Sequence, residues 1–307
     1  MVKESFKRQS INLQAVFWIL VCKFCFVVMM AMAKASPLPT MQINICRSFS
    51  IFLIAGCIVF FNKTLTFKTA NPKLQLLKVS IGSFGMIGYF YSFRYLEMAK
   101  ATTLGFMQSL ILPVFAFLFL RERIGWSRVI ALVVGYVGVL VAINPVYGTF
   151  EKAEAIILMS SVCGAVAVVV AKKLTAKDSP VLLMFYSGLA TSVILGVYYM
   201  LKGDLIDLGP EGQWVPLTED DVQFFLILVG VSFAMQYSYL KAYSLADVGF
   251  LAPFNYVKFV ISSAFSLLLF HQRPELETFL GATLIIASTF YLTKREIHQA
   301  PQYHYKK

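Results

Sequence analysis

The chain has 307 residues, 58% of them hydrophobic and 14% charged, with mean hydropathy +0.72 and a formal net charge of +11. A soluble domain carries about 25% charged residues, so a water-soluble globule is excluded. Nor does the basic excess describe a nucleic-acid surface, because most lysines and arginines lie in short loops between apolar runs, where membrane topology accounts for them.

Hydrocarbon about 30 Å thick takes roughly 20 helical residues to cross. A backbone surrounded by lipid satisfies its hydrogen bonds only as a helix or a closed barrel. Continuous apolar runs, as opposed to alternating ones, select helices. The predicted spans are 12–33, 38–61, 76–96, 101–120, 127–145, 153–171, 180–201, 222–243, 248–270 and 277–294. The expected fold is therefore an all-α integral membrane protein of ten transmembrane helices.

In chain order, the first span is read as a permanent helix and not a cleavable signal, since it exceeds the length of a signal core and nine more spans follow. It carries Lys23 and the pair Cys22-x-x-Cys25. All five cysteines (Cys22, Cys25, Cys46, Cys57 and Cys163) fall inside spans and read as small packing residues, not as a redox or metal pair. The second span carries Arg47. Gly82, Gly85 and Gly88 recur three apart in the third, which predicts close helix approach. Pro113 in the fourth span and Pro253 in the ninth predict kinks. The longest loop, residues 202–221, is acidic, and residues 295–307 form a short polar tail.

Lysine and arginine set the orientation. Of 27 such residues, Lys23, Arg47, Arg94 and Lys258 are left out of the comparison, and those at the other span ends are counted with the adjoining loop. With the N-terminus in the cytoplasm, inside segments hold Lys3, Lys7, Arg8, Lys63, Lys68, Lys73, Lys78, Arg121, Arg123, Arg128, Lys172, Lys173, Lys177, Lys241, Lys294, Arg295, Lys306 and Lys307. Outside segments hold only Lys34, Lys100, Lys152, Lys202 and Arg273. The imbalance predicts both termini on the cytoplasmic side of an inner, or plasma, membrane.

An internal repeat divides the chain. Tyr95-Leu-Glu-Met-Ala99 parallels Ala242-Tyr-Ser-Leu-Ala246, and Phe119-Leu-Arg-Glu-Arg123 parallels Leu269-Phe-His-Gln-Arg273. Ala33-Lys34 faces Ala171-Lys172, and Gly138 faces Ser288. Residues 12–145 and 153–294 thus form two repeats of five spans. Five is odd, so the second copy enters the membrane inverted. That architecture belongs to secondary transporters, with substrate bound near the midplane between the copies.

Three cations reach mid-depth. Counting 1.5 Å per residue, Lys23 lies about 16 Å into its span, Arg47 about 13 Å and Lys258 about 15 Å. No Asp, Glu or His matches their depth. An unpaired charge there is costly, so the set points to an anionic or carboxylate-bearing ligand. The alternative is that each cation caps backbone carbonyls or packs at a helix end, and Lys23 lines a vestibule or snorkels. Asn255 and Tyr256 precede Lys258, and Gln108 is its repeat-equivalent. Tyr89, Tyr91, Tyr186, Gln236, Tyr237 and Tyr239 lie in the same zone, where tyrosine either stacks on a planar or cationic solute or packs helices.

The run Pro253-Phe-Asn-Tyr-Val-Lys-Phe-Val-Ile-Ser-Ser-Ala-Phe-Ser-Leu-Leu-Leu-Phe270, with Arg273-Pro274 and Gly281-Ala-Thr-Leu-Ile-Ile286, resembles the closing helix pair of EamA-type proteins in the drug/metabolite transporter superfamily. So does Leu112-Pro-Val-Phe-Ala116 with Arg121-Glu122-Arg123 and Gly138-Val139. Arg47 looks like an arginine common early in the family's second span. The resemblance covers roughly residues 12–294 and implies two EamA repeats working by alternating access. His271-Gln272 replaces the family's usual Gly-Glu before Arg-Pro. Lys172-Lys173 with Leu183-Met-Phe-Tyr-Ser187, and Leu240-Lys-Ala-Tyr-Ser-Leu-Ala-Asp247 with Ala252-Pro-Phe-Asn-Tyr256, are most similar to S-adenosylmethionine transporters of obligate intracellular bacteria.

No phosphate-binding G-x-x-x-x-G-K-[ST] loop is present, no His/Cys/Glu group has metal-ligand spacing, and nothing calls for a cofactor. The expected function is a secondary transporter of a small metabolite, with S-adenosylmethionine uptake or exchange as its best single candidate. Export of amino acids or other metabolites is the alternative. A polytopic lipid enzyme would need a catalytic cluster at one face, which the sequence lacks, and a channel or scaffold is the remaining class. Cysteines placed singly at Lys68, Lys177 and Gln302 are expected to be shielded from an impermeant thiol reagent in intact cells, and one at Gly212 to label. Outside labelling at Lys177 would overturn the inverted arrangement.

Overall fold

A computed structural model describes residues 2–62, 66–120, 126–143, 151–201, 213–246, 251–273 and 275–303. Its helices in chain order are α1 (Val2–Ala35), α2 (Thr40–Phe61), α3 (Pro72–Tyr95), α4 (Met98–Gly105), α5 (Met107–Leu120), α6 (Trp126–Ile143), α7 (Lys152–Leu174), α8 (Pro180–Leu201), α9 (Glu219–Leu245), a 3-10 turn (Ala252–Tyr256), α10 (Val257–Phe270) and α11 (Leu276–Tyr303). Polar residues set several starts. Asn71 accepts from the Leu74 amide ahead of Pro72, and Glu151/Glu154 and Thr218/Asp221 form reciprocal capping boxes. α10 ends at His271, whose φ of 52° turns the chain out of the helix.

Among the described residues, five helical segments are long and apolar enough to cross a bilayer: Leu13–Ala35, Thr40–Phe61, Lys152–Leu174, Pro180–Met200 and Asp221–Leu245. α3 falls short of that group because its interior holds Gln75, Lys78, Ser80 and Ser83. Gln75, Lys78 and Ser83 face protein, so α3 need not be apolar all round. Two further spans are interrupted. The predicted 101–120 helix breaks at Phe106 between α4 and α5, and the predicted 248–270 helix opens as a 3-10 turn before α10. Counted as one span each, they give ten helices in two five-helix repeats.

The major packing partnerships all cross between repeats. α3 lies along α7 and its counterpart α9 along α1, while α2 packs on α8 and α6 on α11. Each of these four pairs joins one helix of the first half to one of the second. Small residues permit the approach. A Cβ on Gly85 would meet Cys163 Cβ at 3.1 Å and the Ser160 carbonyl at 3.2 Å, so the α3 glycines serve close packing. At the α6–α11 crossing, a Cβ on Gly281 would lie 2.5 Å from the Gly138 carbonyl, and one on Gly138 would lie 2.9 Å from the Gly281 carbonyl.

The repeat is visible in single interactions. Lys34, at the end of α1, donates to the Leu96 carbonyl just past the end of α3. Its repeat-equivalent Lys172, at the end of α7, donates to the Tyr243 and Ala246 carbonyls, both at 2.8 Å, at the end of α9. A cation at a helix C-terminus satisfies orphan carbonyls and meets the negative end of the dipole. The same device stands at opposite membrane faces. Phe106 and Tyr256, which mark the breaks in the two interrupted spans, pack edge-to-face with ring centroids 5.0 Å apart.

Polarity runs outside-in, as lipid requires. Phe17, Phe24, Leu53, Phe84 and Val133 are exposed, while Gln42, Asn44, Arg47, Lys78 and Lys258 are buried. Because Gly281 faces backbone and Gly230 meets nothing within 4 Å, Gly281→Ala should cost about 1–3 kcal/mol of stability by overpacking. Gly230→Ala should be neutral or slightly stabilising. Melting curves of the two purified variants in one detergent check the contrast.

Candidate functional site

Six helices (α1, α2, α3, α7, α8 and α9) and both interrupted spans wall a central cavity. Its lining includes Cys22, Lys23 and Phe26 from α1, Arg47 and Ser48 from α2, and Gln108 from α5. α3 presents Lys78, Gly82, Gly85 and Tyr89, a stripe at i, i+4, i+7 and i+11 along one helix face. α8 adds Ser187, Gly188 and Thr191, α9 adds Gln236 and Tyr239, and α10 adds Lys258. Among the described lining residues there are four cations and no carboxylate.

Each cation is held differently. Lys258 Nζ lies 4.8 Å from the Phe106 ring centroid and 5.9 Å from that of Phe26. Ring faces attract a cation without neutralising it. Lys23 lines the same cavity from α1. Arg47 is 3% exposed and its guanidinium carbon lies 5.1 Å from the Phe90 centroid. Arg47 Nη2 donates to Asn44 Oδ1 at 3.2 Å and Ser48 Oγ at 3.3 Å, and its Nε has no protein partner. Lys78 Nζ donates to the Leu183 carbonyl at 3.2 Å and to Ser187 Oγ.

Neutral groups are tied down more fully. The Tyr89 hydroxyl donates to Gln108 Oε1 at 3.3 Å and shares a 3.1 Å bond with Ser161. Gln108 crosses α7 at Gly164, where a Cβ would meet its amide carbon at 3.0 Å. Ser83 and Thr191 join α3 to α8 through a 2.6 Å hydroxyl pair. Beyond Tyr89, the buried residues Phe90, Phe93, Leu96 and Met98 belong with Met29 and Met30 to one apolar cluster.

The structure brings Lys23, Arg47, Gln108 and Lys258 to one cavity, with Tyr89, Gln236 and Tyr239 among the other residues singled out by sequence. It places the remainder elsewhere. Tyr186 is a correction to that expectation, since its hydroxyl donates to the Phe67 carbonyl at 2.7 Å on an exposed face. Tyr237 is another, packed on Trp18 and Phe233. Tyr91 pairs with Tyr95. Asn255 and Tyr256 are buried just before Lys258, Asn255 bonding Tyr243 and Tyr256 seated on Phe106, so they support the α10 start without lining the cavity.

Sequence reading missed Lys78, Ser48, Ser187 and Thr191. Lys78 stands two residues into the predicted third span and was counted among the inside-facing charges. The stripe it forms with Gly82, Gly85 and Tyr89 was the signal available.

The EamA-like transporter family profile matches this chain twice, over residues 13–144 and 151–294. The S-adenosylmethionine uptake transporter of Rickettsia bellii is 26% identical over 248 residues, 81% of each chain. That of Rickettsia felis is 25% identical over 260 residues, 84% of each. The riboflavin transporter of Vibrio cholerae is 24% identical over 294 residues, 92% of this chain and 94% of the relative. A solved crystal structure shares the fold with a TM-score of 0.63 at 15% identity, covering 94% of this chain and 98% of that one.

Proposed function

The chain belongs to the EamA-like transporter family, and on that premise we propose that it is a secondary carrier moving a small carboxylate-bearing metabolite across the inner membrane. Both termini lie in the cytoplasm. The cargo binds between the two inverted repeats and meets each face in turn as the repeats rock against one another. The observation that carries this reading is the central cavity, where four basic side chains from different helices converge with no acidic partner among the described lining residues.

Lys258 is the proposed anchor. It projects from the start of α10 into the cavity that its counterpart Gln108 also lines, and is held by ring faces that leave its charge free for a ligand. Arg47, Lys23 and Gln108 complete the expected set. Similarity supplies S-adenosylmethionine as the first cargo to test, because relatives across most of the chain bear that name. Its carboxylate would meet Lys258 or Arg47, its adenine Tyr89 or Tyr239, and its sulfonium the Phe26 face. Riboflavin, named for other relatives, has an aromatic part that suits the same rings.

Proteoliposomes preloaded with unlabelled S-adenosylmethionine should take up the labelled compound faster than empty ones. Equal uptake by loaded, empty and protein-free vesicles removes this cargo. For the binding pocket, Lys258→Ala should weaken binding of a transported solute about tenfold or more while the melting temperature holds or rises, since the substitution removes a desolvated charge with no fixed partner. A large loss of stability with affinity retained would show a purely structural lysine.

A further inference from the structure

Four of the helices that line the cavity pack as two pairs, α3 with α7 and α1 with α9. Each pair is joined by close contacts. Gly85 and Gly88 bring α3 against Cys163 and Ser160 of α7. The Trp18 and Tyr237 rings meet edge-to-face between α1 and α9, with centroids 5.6 Å apart. Two lysines cross from one pair to the other. Lys34 of α1 donates to the Leu96 carbonyl just past α3. Lys172 of α7 donates to the Tyr243 carbonyl in α9 and the Ala246 carbonyl just past it. Arg94 joins the first crossing, donating from α3 to the Ala33 carbonyl of α1 at 3.2 Å.

The crossings bracket the cavity. At 1.5 Å per residue, Lys34 lies about 12 Å beyond Phe26, the last lining residue of α1, and Lys172 about 8 Å beyond Ala167, the last of α7. α1 and α3 end at one membrane face and α7 and α9 at the other, so the two crossings stand on opposite sides of the lining residues. Both lysines are only half-buried. A long side chain at a helix end can exchange a carbonyl for interfacial water, which makes the net strength of such a bond modest. The glycine contacts within the α3–α7 pair have no such substitute. A carrier built from inverted repeats must part its halves at one face while they stay joined at the other. We propose that Lys34 and Lys172 are the paired latches of this cycle, each holding the α1–α9 pair to the α3–α7 pair at one face and letting go when that face opens. This inference rests on the carrier reading above and names residues that govern which side the cavity meets.

The test reads the open face and needs no cargo. Cys22 lines the cavity. A membrane-impermeant thiosulfonate is applied to intact cells and to inside-out vesicles, and modification of Cys22 is followed by peptide mass spectrometry. Lys172→Gln should label Cys22 about fivefold or more faster than wild type in inside-out vesicles, and more slowly than wild type in intact cells. Lys34→Gln should move both rates the opposite way. Lys172→Arg, which keeps a donor, should match the wild type. Wild-type rates in both glutamine variants would overturn the proposal, as would the same change in both. If one glutamine variant does not fold, the direction of change in the other decides. Unchanged labelling strikes the latches alone, whereas equal uptake by loaded and empty vesicles strikes the carrier reading.

Discussion

Hydrocarbon offers a charged side chain nothing, so every cation this sequence carries into the bilayer must find its partner within the protein or in a cavity. Much of the architecture follows from how that demand is met. Lys34 and Lys172 close the open ends of neighbouring helices. Arg94 donates to the carbonyls of Ala33 and Leu38, fixing the α1–α2 turn to α3. Lys100 reaches across the repeats to Glu154 at 2.8 Å. The cations left over converge on the centre, and there the protein supplies rings and hydroxyls where a carboxylate would have neutralised them. The division between structural and ligand-seeking charges is therefore a division by partner: helix ends and a glutamate on one side, the cavity on the other.

Much of the fold was legible because lipid imposes a strong, simple pattern. Helix count and repeat followed from apolar length, the odd number of spans in each repeat and the paired motifs around Lys34 and Lys172. The breaks at Phe106 and before Val257 were less legible. Pro253 signalled a disturbance in the ninth span, but nothing so plain marks Phe106, and only the repeat alignment ties the two positions together. Sequence periodicity locates a span without saying where its hydrogen-bond ladder stops.

The site was half legible for a related reason. Depth within a span picked out Lys23, Arg47 and Lys258, and repeat alignment picked out Gln108, because both signals survive in one dimension. Direction around a helix does not. Tyr186 and Ser187 are adjacent in sequence, yet one faces the surface at Phe67 and the other the cavity at Lys78. Lys78 looked like an interfacial charge because it sits near the start of its helix, and only the packing of α3 against α7 and α8 turns it inward. Aromatic residues misled most, since a ring in a membrane helix serves packing as readily as recognition.

The crossed pairing of the helices also bears on how the chain is made. Synthesis delivers α1 to α6 before α7, yet the partners of α1, α2, α3 and α6 are α9, α8, α7 and α11. The first half therefore enters the membrane with its glycine faces and buried polar groups, Lys78 and Arg47 among them, still lacking the surfaces that will cover them. Insertion and packing are separated in time, and the early helices must rest in lipid or against the insertion machinery until the second half arrives. When α7 slots against α3, Gly85 and Gly88 meet Ser160, and the molecule begins to close around a centre that neither half possesses alone.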